Sequence, residues 1–132
     1  MVIDASALVA ILFGEPETRL FIETIEAADS RRLSVATFVE VSIVIESKLG
    51  PEGLRDLDRF LASAAIELVP VDAEQGYLAR AAFSRFGKGR HSAGLNFGDC
   101  FAYALAKVLG EPLLCKGSDF SQTDIALATS AP

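Results

Sequence analysis

The sequence predicts an α/β fold in which a short, mostly parallel sheet is sandwiched between two layers of helices. Short apolar segments alternate along the chain with longer segments whose apolar residues recur at helical spacing. The candidate strands are apolar at nearly every position, as in parallel sheets that helices cover on both faces. The length of 132 residues is typical of one domain, so we expect a single unit over residues 1–132.

The first half of the chain contains two predicted strands and four predicted helices. The apolar pair Val2-Ile3 predicts a buried strand, and Asp4 suits the N-cap of the helix that follows. Apolar residues at helical spacing mark the other helices, and Gly50-Pro51 separates the last two because proline cannot lie inside a regular helix. The predicted elements are a strand at 2–3, helices over 5–13 and 15–28, a strand at 33–35, and helices over 37–49 and 52–65.

The second half contains the one long loop, Gly-Lys-Gly-Arg-His-Ser-Ala-Gly at 87–94, between two predicted helices. Asp72 is a suitable N-cap for the helix before the loop. The helix after the loop begins at Asn96 or Gly98, and Gly110 ends it. The predicted elements are a strand at 67–71, a helix to residue 86, a helix to residue 109, a strand at 112–115 and a possible fifth strand at 125–127.

Charge is distributed unevenly along the chain. There are 12 Lys and Arg against 18 Asp and Glu, which gives a net charge of −6. Residues 75–98 contain no acidic residue, so this segment carries +4 and the rest of the chain carries −10. A protein that is acidic overall can therefore still bind an anion along this segment. The charged residues of the segment are Arg80, Arg85, Lys88 and Arg90, and the only histidine, His91, lies beside them.

The cysteines and the first residues indicate the compartment. Cys100 and Cys115 lie in apolar surroundings without Cys-x-x-Cys spacing, which argues against a disulfide framework and a cysteine zinc site. The start, Met1 to Asp4, has no basic segment typical of a signal peptide. The apolar stretches are too short to span a bilayer. We therefore expect a cytoplasmic protein without a membrane partner.

Four acidic residues lie where the predicted elements meet one edge of the sheet. Asp4 ends the first strand, and Asp119 follows the fourth. Glu40 lies on an almost wholly apolar helix, and Asp99 lies in the first turn of a later helix. Each has an ordinary explanation, as an N-cap, a surface residue, a charge near a helix N-terminus or a turn residue. Together all four can converge on the edge where parallel sheets bind ligands, and Asp124 can replace or accompany Asp119.

Clustered carboxylates indicate a cation site. Carboxylates within about 4–6 Å of one another repel and raise one another's pKa, and a divalent cation removes this penalty. Mg²⁺ and Mn²⁺ are the usual occupants of sites made only of carboxylates. No His or Cys spacing supports zinc, and the isolated His91 suits a surface or an RNA contact better than a metal. Ser6 can either cap the first helix or assist a ligand.

Five segments carry a family resemblance, in the family's order along the chain. They are MVIDASAL at 1–8, TFVEV at 37–41, GKGRH at 87–91, LNFGDCFAYALA at 95–106 and LLCKGSDF at 113–120. In these segments the sequence resembles a PIN-domain ribonuclease, specifically the VapC-type toxin of a bacterial type II toxin–antitoxin pair. The resemblance covers essentially the whole chain. The first segment and the segment at 95–106 are its most specific parts.

The resemblance implies a PIN-like fold, an activity and a site. The family's catalytic acids correspond here to Asp4, Glu40, Asp99 and Asp119, with Asp4 and Asp99 as metal ligands. Many relatives have a further Asp at the position of Gly117. The implied activity is hydrolysis of RNA with Mg²⁺, or Mn²⁺, by a homodimer that a small antitoxin inhibits. Supporting residues would be Ser6, Asn96 and Asp124. Because the acids repel phosphates, RNA would need a separate cationic surface, and the basic segment offers Lys88, Arg90, His91 and Arg85 for it.

Two other functional classes use a similar acidic edge. A receiver-type phosphoacceptor domain needs an acidic pair after the first strand, and a haloacid-type phosphatase needs Asp-x-Asp there. This chain has Asp4-Ala5-Ser6 at that point. A third alternative is a catalytically inactive PIN-like module that only binds its partner, which an activity assay distinguishes from an enzyme.

Overall fold

The computed structural model describes residues 1–129. Its sheet has four parallel strands in the spatial order β3-β2-β1-β4. Val2 pairs with both Arg32 and Leu113, so the first strand lies at the centre. All four strands point the same way, and their carboxyl ends therefore form one edge. The strands are β1 (Val2–Ile3), β2 (Arg32–Ser34), β3 (Glu67–Val69) and β4 (Leu113–Leu114).

Within residues 1–129, five helices connect and cover these strands. They are α1 (Ala5–Leu12), α2 (Thr18–Ala27), α3 (Val35–Ser63), α4 (Ala73–Phe86) and α5 (Phe97–Leu109). A 3-10 turn, Phe120–Gln122, follows β4. Among the helices of residues 1–129, none has the length and apolarity that a membrane crossing requires.

Side chains of the central strands alternate between two cores, one on each face of the sheet. Val2 and Leu113 belong to the core that α4 and α5 cover. Ile3 and Leu114 belong to the core under α1, α2 and α3. All four side chains are fully buried. A strand of two residues is therefore apolar at both positions because each face packs against a helical layer.

The third helix is bent at the predicted boundary. Gly50 has φ 68° and ψ −164°, which interrupts the helical backbone just before Pro51. α3 therefore consists of two helical segments, 35–49 and 51–63, that meet at a kink at Gly50, and the predicted boundary between two helices is confirmed. The first segment starts two residues earlier than predicted, because β2 ends at Ser34 and leads straight into it. This direct connection places the first turns of α3 at the carboxyl edge of the sheet.

Two other predictions of local structure were wrong in extent. The second helix begins at Thr18 and not at Glu15, because the Thr18 hydroxyl donates to the carbonyls of Ala10 and Glu15 and fixes a turn before the helix. The possible fifth strand at 125–127 is a single bridge between Leu127 and Leu113. The strand β4 is only two residues long, so it offers no room for longer pairing.

Candidate active site

The carboxyl edge of the sheet brings together four of the predicted acids. Asp4 follows β1, Glu40 lies in the second turn of α3, Asp99 in the first turn of α5, and Asp119 after β4. The negative charge of Asp4 raises the pKa of both Glu40 and Asp99. Asp119 acts in the same direction on Asp4 and Asp99. The four side chains therefore share one electrostatic environment.

Asp4 is the most deeply buried acid of the site, with 3% of its surface exposed. Its Oδ2 accepts hydrogen bonds from the Ser6 backbone N–H (3.0 Å) and the Ser6 hydroxyl (2.7 Å), which caps α1. Its Oδ1 is buried and has no hydrogen-bond partner within residues 1–129. Burial raises the pKa of this carboxyl, although the Ser6 hydrogen bonds lower it. One oxygen of Asp4 is thus structural, and the other is left for a ligand.

Ser6 connects Asp4 to the neighbouring strand. Its hydroxyl oxygen accepts a hydrogen bond of 2.9 Å from the backbone N–H of Lys116, just after β4. The Lys116 side chain forms ion pairs with Glu15 and Glu17, which lie just before α2. Sequence reasoning missed Lys116, since its contact with Ser6 crosses 110 positions and uses only the main chain. Ser6 therefore fixes the orientation of Asp4 relative to β4.

Glu40 projects from α3 onto the first turn of α5. Its Oε1 is buried without a hydrogen-bond partner in the described part of the chain. Burial, with the charges of Asp4 and Asp99, raises the pKa of Glu40 to about 7. At neutral pH this carboxyl exists in both protonation states, which suits a group that holds or accepts a proton.

Asp99 and Asn96 form a reciprocal cap at the start of α5. The Asn96 side-chain oxygen accepts from the Asp99 N–H at 2.9 Å, and Asp99 Oδ2 accepts from the Asn96 N–H at 3.0 Å. Burial raises the pKa of Asp99 to about 6, with Asp4 and Asp119 adding to the rise and the Asn96 hydrogen bond opposing it. The role of Asn96 seen here is to position Asp99 within the first turn.

The two candidates for the fourth acid lie in different surroundings. Asp119 is exposed and makes no capping hydrogen bond within residues 1–129. Its negative charge raises the pKa of Asp4 and Asp99. Asp124 accepts from the Tyr103 hydroxyl (2.6 Å) and Lys107 Nζ (2.7 Å). Burial by itself raises the pKa of Asp124, but these hydrogen bonds outweigh burial, so the pKa is lowered overall. The structure therefore brings Asp119 to the other acids, while Asp124 lies in a separate cluster with cations.

Cys115 lies beside the acids but has no nucleophilic character. Burial, together with the charges of Asp4, Asp119 and Asp99, raises the pKa of its thiol to about 12. The thiol is therefore protonated at neutral pH, and the thiolate is the reactive form. Cys100 and Cys115 are both free and buried, as the sequence predicted.

The predicted RNA contacts divide into two groups. Lys88 and Arg90 are exposed on the loop before α5, and neither forms an ion pair within residues 1–129. Arg85 pairs with Asp124 at 3.6 Å. His91 is exposed, but its Nδ1 accepts the Ala93 N–H at 2.9 Å and so shapes the loop. Lys88 and Arg90 are the members of the set that remain available to an anion.

Comparison with known proteins identifies the family. The model of the PIN domain matches residues 1–126. Ribonuclease VapC30 of Mycobacterium tuberculosis is 54% identical over 96% of this chain and 96% of its own length. Ribonuclease VapC of Mycolicibacterium smegmatis is 55% identical over 96% of this chain and 98% of its own. The chain belongs to the VapC-type PIN-domain family.

Solved structures of VapC-type PIN domains share the fold. VapC20 of Mycobacterium tuberculosis, described as a sarcin-ricin loop cleaving toxin, gives a TM-score of 0.76 at 15% identity, over 95% of both chains. The VapBC2 structure from Rickettsia felis, bound to a promoter DNA fragment, gives 0.75 at 12% identity, over 96% of this chain and 94% of the other. The predicted α/β sandwich and the predicted family resemblance are both confirmed.

The acidic edge of this VapC-type domain fits a divalent cation. Two buried carboxylate oxygens, Asp4 Oδ1 and Glu40 Oε1, have no partner within residues 1–129, and their neighbours are further carboxylates. A cation is the group that satisfies such oxygens and offsets their repulsion. Over the same residues, no three Asp, Glu, His or Cys side chains are arranged so that they could together hold a metal ion. Within residues 1–129, the fit to a cation therefore rests on the two unpartnered oxygens and not on a preformed ligand set.

Proposed function

We propose that this VapC-type PIN domain is a Mg²⁺-dependent endoribonuclease that acts as a toxin, with Mn²⁺ as an alternative cation. The observation that carries the proposal is the pair of buried oxygens on Asp4 and Glu40 that have no hydrogen-bond partner in the described part of the chain. The mycobacterial relatives are named ribonucleases, which supports RNA as the substrate class. The protonated thiol of Cys115 supports hydrolysis by water instead of a cysteine nucleophile.

Each acid has a proposed role in this reaction. Asp4 and Asp99 would hold the metal through their carboxylate oxygens, with Ser6 and Asn96 fixing the two side chains. When bound, Mg²⁺ would lower the pKa of a water molecule and offset negative charge on the phosphate. Glu40, with a pKa of about 7, would orient that water and accept its proton. Asp119 would complete the ligand set from the exposed side.

We expect the purified protein to cleave RNA only when Mg²⁺ or Mn²⁺ is present. In EDTA the rate should fall by on the order of 10³-fold or more, because the chelator removes the cation whose positive charge activates water. Excess Mg²⁺ should restore the rate. The measurement is cleavage of a labelled single-stranded RNA.

An Asp99→Asn preparation purified in parallel serves as the control for contaminating nuclease. Full cleavage in EDTA by the parent, absent from this control, would exclude the metal mechanism. A protein that bound an antitoxin but cleaved no RNA with either metal would instead be an interaction module.

RNA needs a cationic surface beside this acidic edge, since the carboxylates repel phosphates. We propose that Lys88 and Arg90 supply it, with His91 and Arg85 at its border. The loop that carries Lys88 and Arg90 leads directly into the first turn of α5, where Asp99 lies. Arg90 lies 5.7 Å from the centre of the Phe83 ring, which supports its guanidinium at the surface. This surface would guide the RNA backbone towards the acids.

Replacing both Lys88 and Arg90 by Ala should weaken RNA binding and reduce its salt dependence. Each lost phosphate contact should reduce the slope of log K against log salt by about 0.7 for a single strand. Binding is measured in the Asp99→Asn background, so that RNA stays intact. The control is Arg55→Ala with Arg59→Ala, which removes the same charge from two arginines already paired with Glu52 and Asp56. An unchanged slope in the Lys88 and Arg90 variant would place the RNA elsewhere.

We also propose that the protein is a homodimer inhibited by a small antitoxin. One chain in the structure of a toxin–antitoxin complex from Klebsiella pneumoniae shares the fold, with a TM-score of 0.71 at 15% identity over 98% of both chains. On α3 beside Glu40, and at the start of α5, apolar side chains are unusually exposed: Ile43 by 61%, Val39 by 49% and Phe97 by 79%. Exposed apolar surface of this kind commonly marks a protein interface. Sedimentation equilibrium tests the dimer, which a monomer at micromolar concentration would contradict.

A further inference from the structure

Gly98 is the second residue of α5 and lies immediately before Asp99. Its φ is not positive, unlike that of Gly110 at the end of the same helix, so its backbone does not require glycine. Glycine weakens a helix relative to alanine, because it loses more backbone freedom when it becomes ordered. The reason for glycine at this position must therefore lie outside the helix.

The Glu40 carboxyl group occupies the space beside Gly98. A Cβ atom at residue 98 would lie 2.1 Å from Glu40 Oε2, 2.5 Å from Cδ and 2.6 Å from Oε1. These three nearest atoms all belong to the same carboxyl group. Such distances are far below van der Waals contact, so a methyl group and this carboxyl cannot occupy these positions together.

No hydrogen bond within residues 1–129 holds Glu40 Oε1 in place. The position of the carboxyl therefore depends on the space that Gly98 leaves and on the packing of α3 against α5. Glu40 lies on a long side chain, which can rotate away from α5 if that space is filled. A methyl group at residue 98 should then displace the Glu40 carboxyl and leave the two helices in place.

We infer that Gly98 is a positioning residue for Glu40: its missing side chain allows the Glu40 carboxyl to reach Asp4 and Asp99. The inference rests on the proposed function only in assigning Glu40 a part in cleavage. Gly76 in α4 provides a matched contrast, since no atom of residues 1–129 outside its own helix backbone and chain neighbours would lie within 4 Å of a Cβ at that position. Both glycines are helical, and only Gly98 faces an acid of the site.

The test combines Gly98→Ala with Glu40→Ala. We expect Gly98→Ala to lower kcat for RNA cleavage on the order of 10–100-fold and to leave KM nearly unchanged, because a displaced group impairs the chemical step more than RNA binding. Gly76→Ala should leave both constants unchanged. In the Glu40→Ala background, Gly98→Ala should cause no further loss, because the carboxyl it displaces is already absent.

Thermal melts in EDTA supply a second measurement that does not depend on activity. Gly76→Ala should raise Tm by about 3 °C through helix propensity. Gly98→Ala should raise Tm by a similar amount in the Glu40→Ala background and by clearly less, or not at all, when Glu40 is present. Equal changes of Tm in the two backgrounds would overturn the inference.

The remaining outcomes are also decisive. Full kcat in Gly98→Ala, or a loss that adds to that of Glu40→Ala, would show that Gly98 does not act through Glu40. If Gly98→Ala fails to fold, the double variant decides: folding restored by Glu40→Ala supports the steric contact, and continued unfolding contradicts it. If the parent cleaves no RNA with either metal, the proposed function fails. The melting temperatures of the parent, Gly98→Ala, Glu40→Ala and the double variant still test the steric contact between Gly98 and Glu40.

Discussion

Asp4→Asn should abolish RNA cleavage and, without metal at pH 7, stabilise the fold. Cleavage should fall on the order of 10³-fold or more, since the variant loses a charged metal ligand. Unfolding should cost about 1–2 kcal/mol more, since a buried carboxylate with one unpartnered oxygen becomes neutral. Asn keeps the shape and a carbonyl oxygen that accepts from Ser6, so the cap of α1 is retained.

Activity assays and urea unfolding in EDTA measure the two effects together. Asp72→Asn is the matched control, because Asp72 also caps a helix through its side chain, by accepting from the Gln75 N–H at 2.9 Å. This control should change neither cleavage nor, beyond a few tenths of a kcal/mol, stability. An active Asp4→Asn protein would refute the site. An inactive but destabilised one would mean that Asp4 serves mainly as a cap.

Without metal, the free energy of unfolding should decrease as pH rises from 5 to 8. In the folded protein the pKa of Glu40 is about 7 and that of Asp99 about 6, above the ordinary 4.5 and 3.8. Between about pH 4 and 7 the folded chain therefore binds more protons than the unfolded chain, and stability falls with rising pH. Allowing for partial exposure and coupling, the loss should be on the order of 2–3 kcal/mol.

Urea unfolding at pH 5 and pH 8, with EDTA and with Mg²⁺, measures this dependence. Mg²⁺ should offset the loss at pH 8, because it binds the charged carboxylates of the folded state. Glu40→Gln should flatten the EDTA profile, whereas Glu46→Gln, an exposed glutamate on the same helix, should not. Stability that stays level or rises over this range in EDTA would contradict the raised pKa values of Glu40 and Asp99.

The sequence predicted the sheet, and predicted that the acids lie at one edge of it, because both follow from the composition and the order of the elements along the chain. Strands buried on both faces are apolar throughout, as at Val2-Ile3, and the carboxyl ends of parallel strands necessarily share an edge. The length of the possible strand at 125–127 was overestimated, since only Leu127 pairs with β4. Strand length depends on the partner strand as well as on composition. The contact between Glu40 and Gly98 was invisible, since it joins residues from two helices that only tertiary packing brings together.

A capping role and the proposed ligand role are compatible in the same residue, although the sequence analysis treated them as alternatives. Asp4 caps α1 with Oδ2 and leaves Oδ1 unpartnered. Asp99 joins the reciprocal cap with Asn96 while its pKa responds to Asp4 and Asp119. A carboxylate has two oxygens and about four acceptor sites, so one residue can serve both purposes. An N-cap Asp at a sheet edge is therefore weak evidence against a functional role.

The hydrogen bond from the Lys116 main chain to Ser6 has a consequence for how this fold can diverge. Because the donor is a peptide N–H, every amino acid except proline can supply it. The Lys116 side chain, half-exposed and paired with Glu15 and Glu17, can therefore change without moving Asp4. Residue 116 is therefore a position where relatives can differ in charge and size while the arrangement of Ser6 and Asp4 is inherited unchanged.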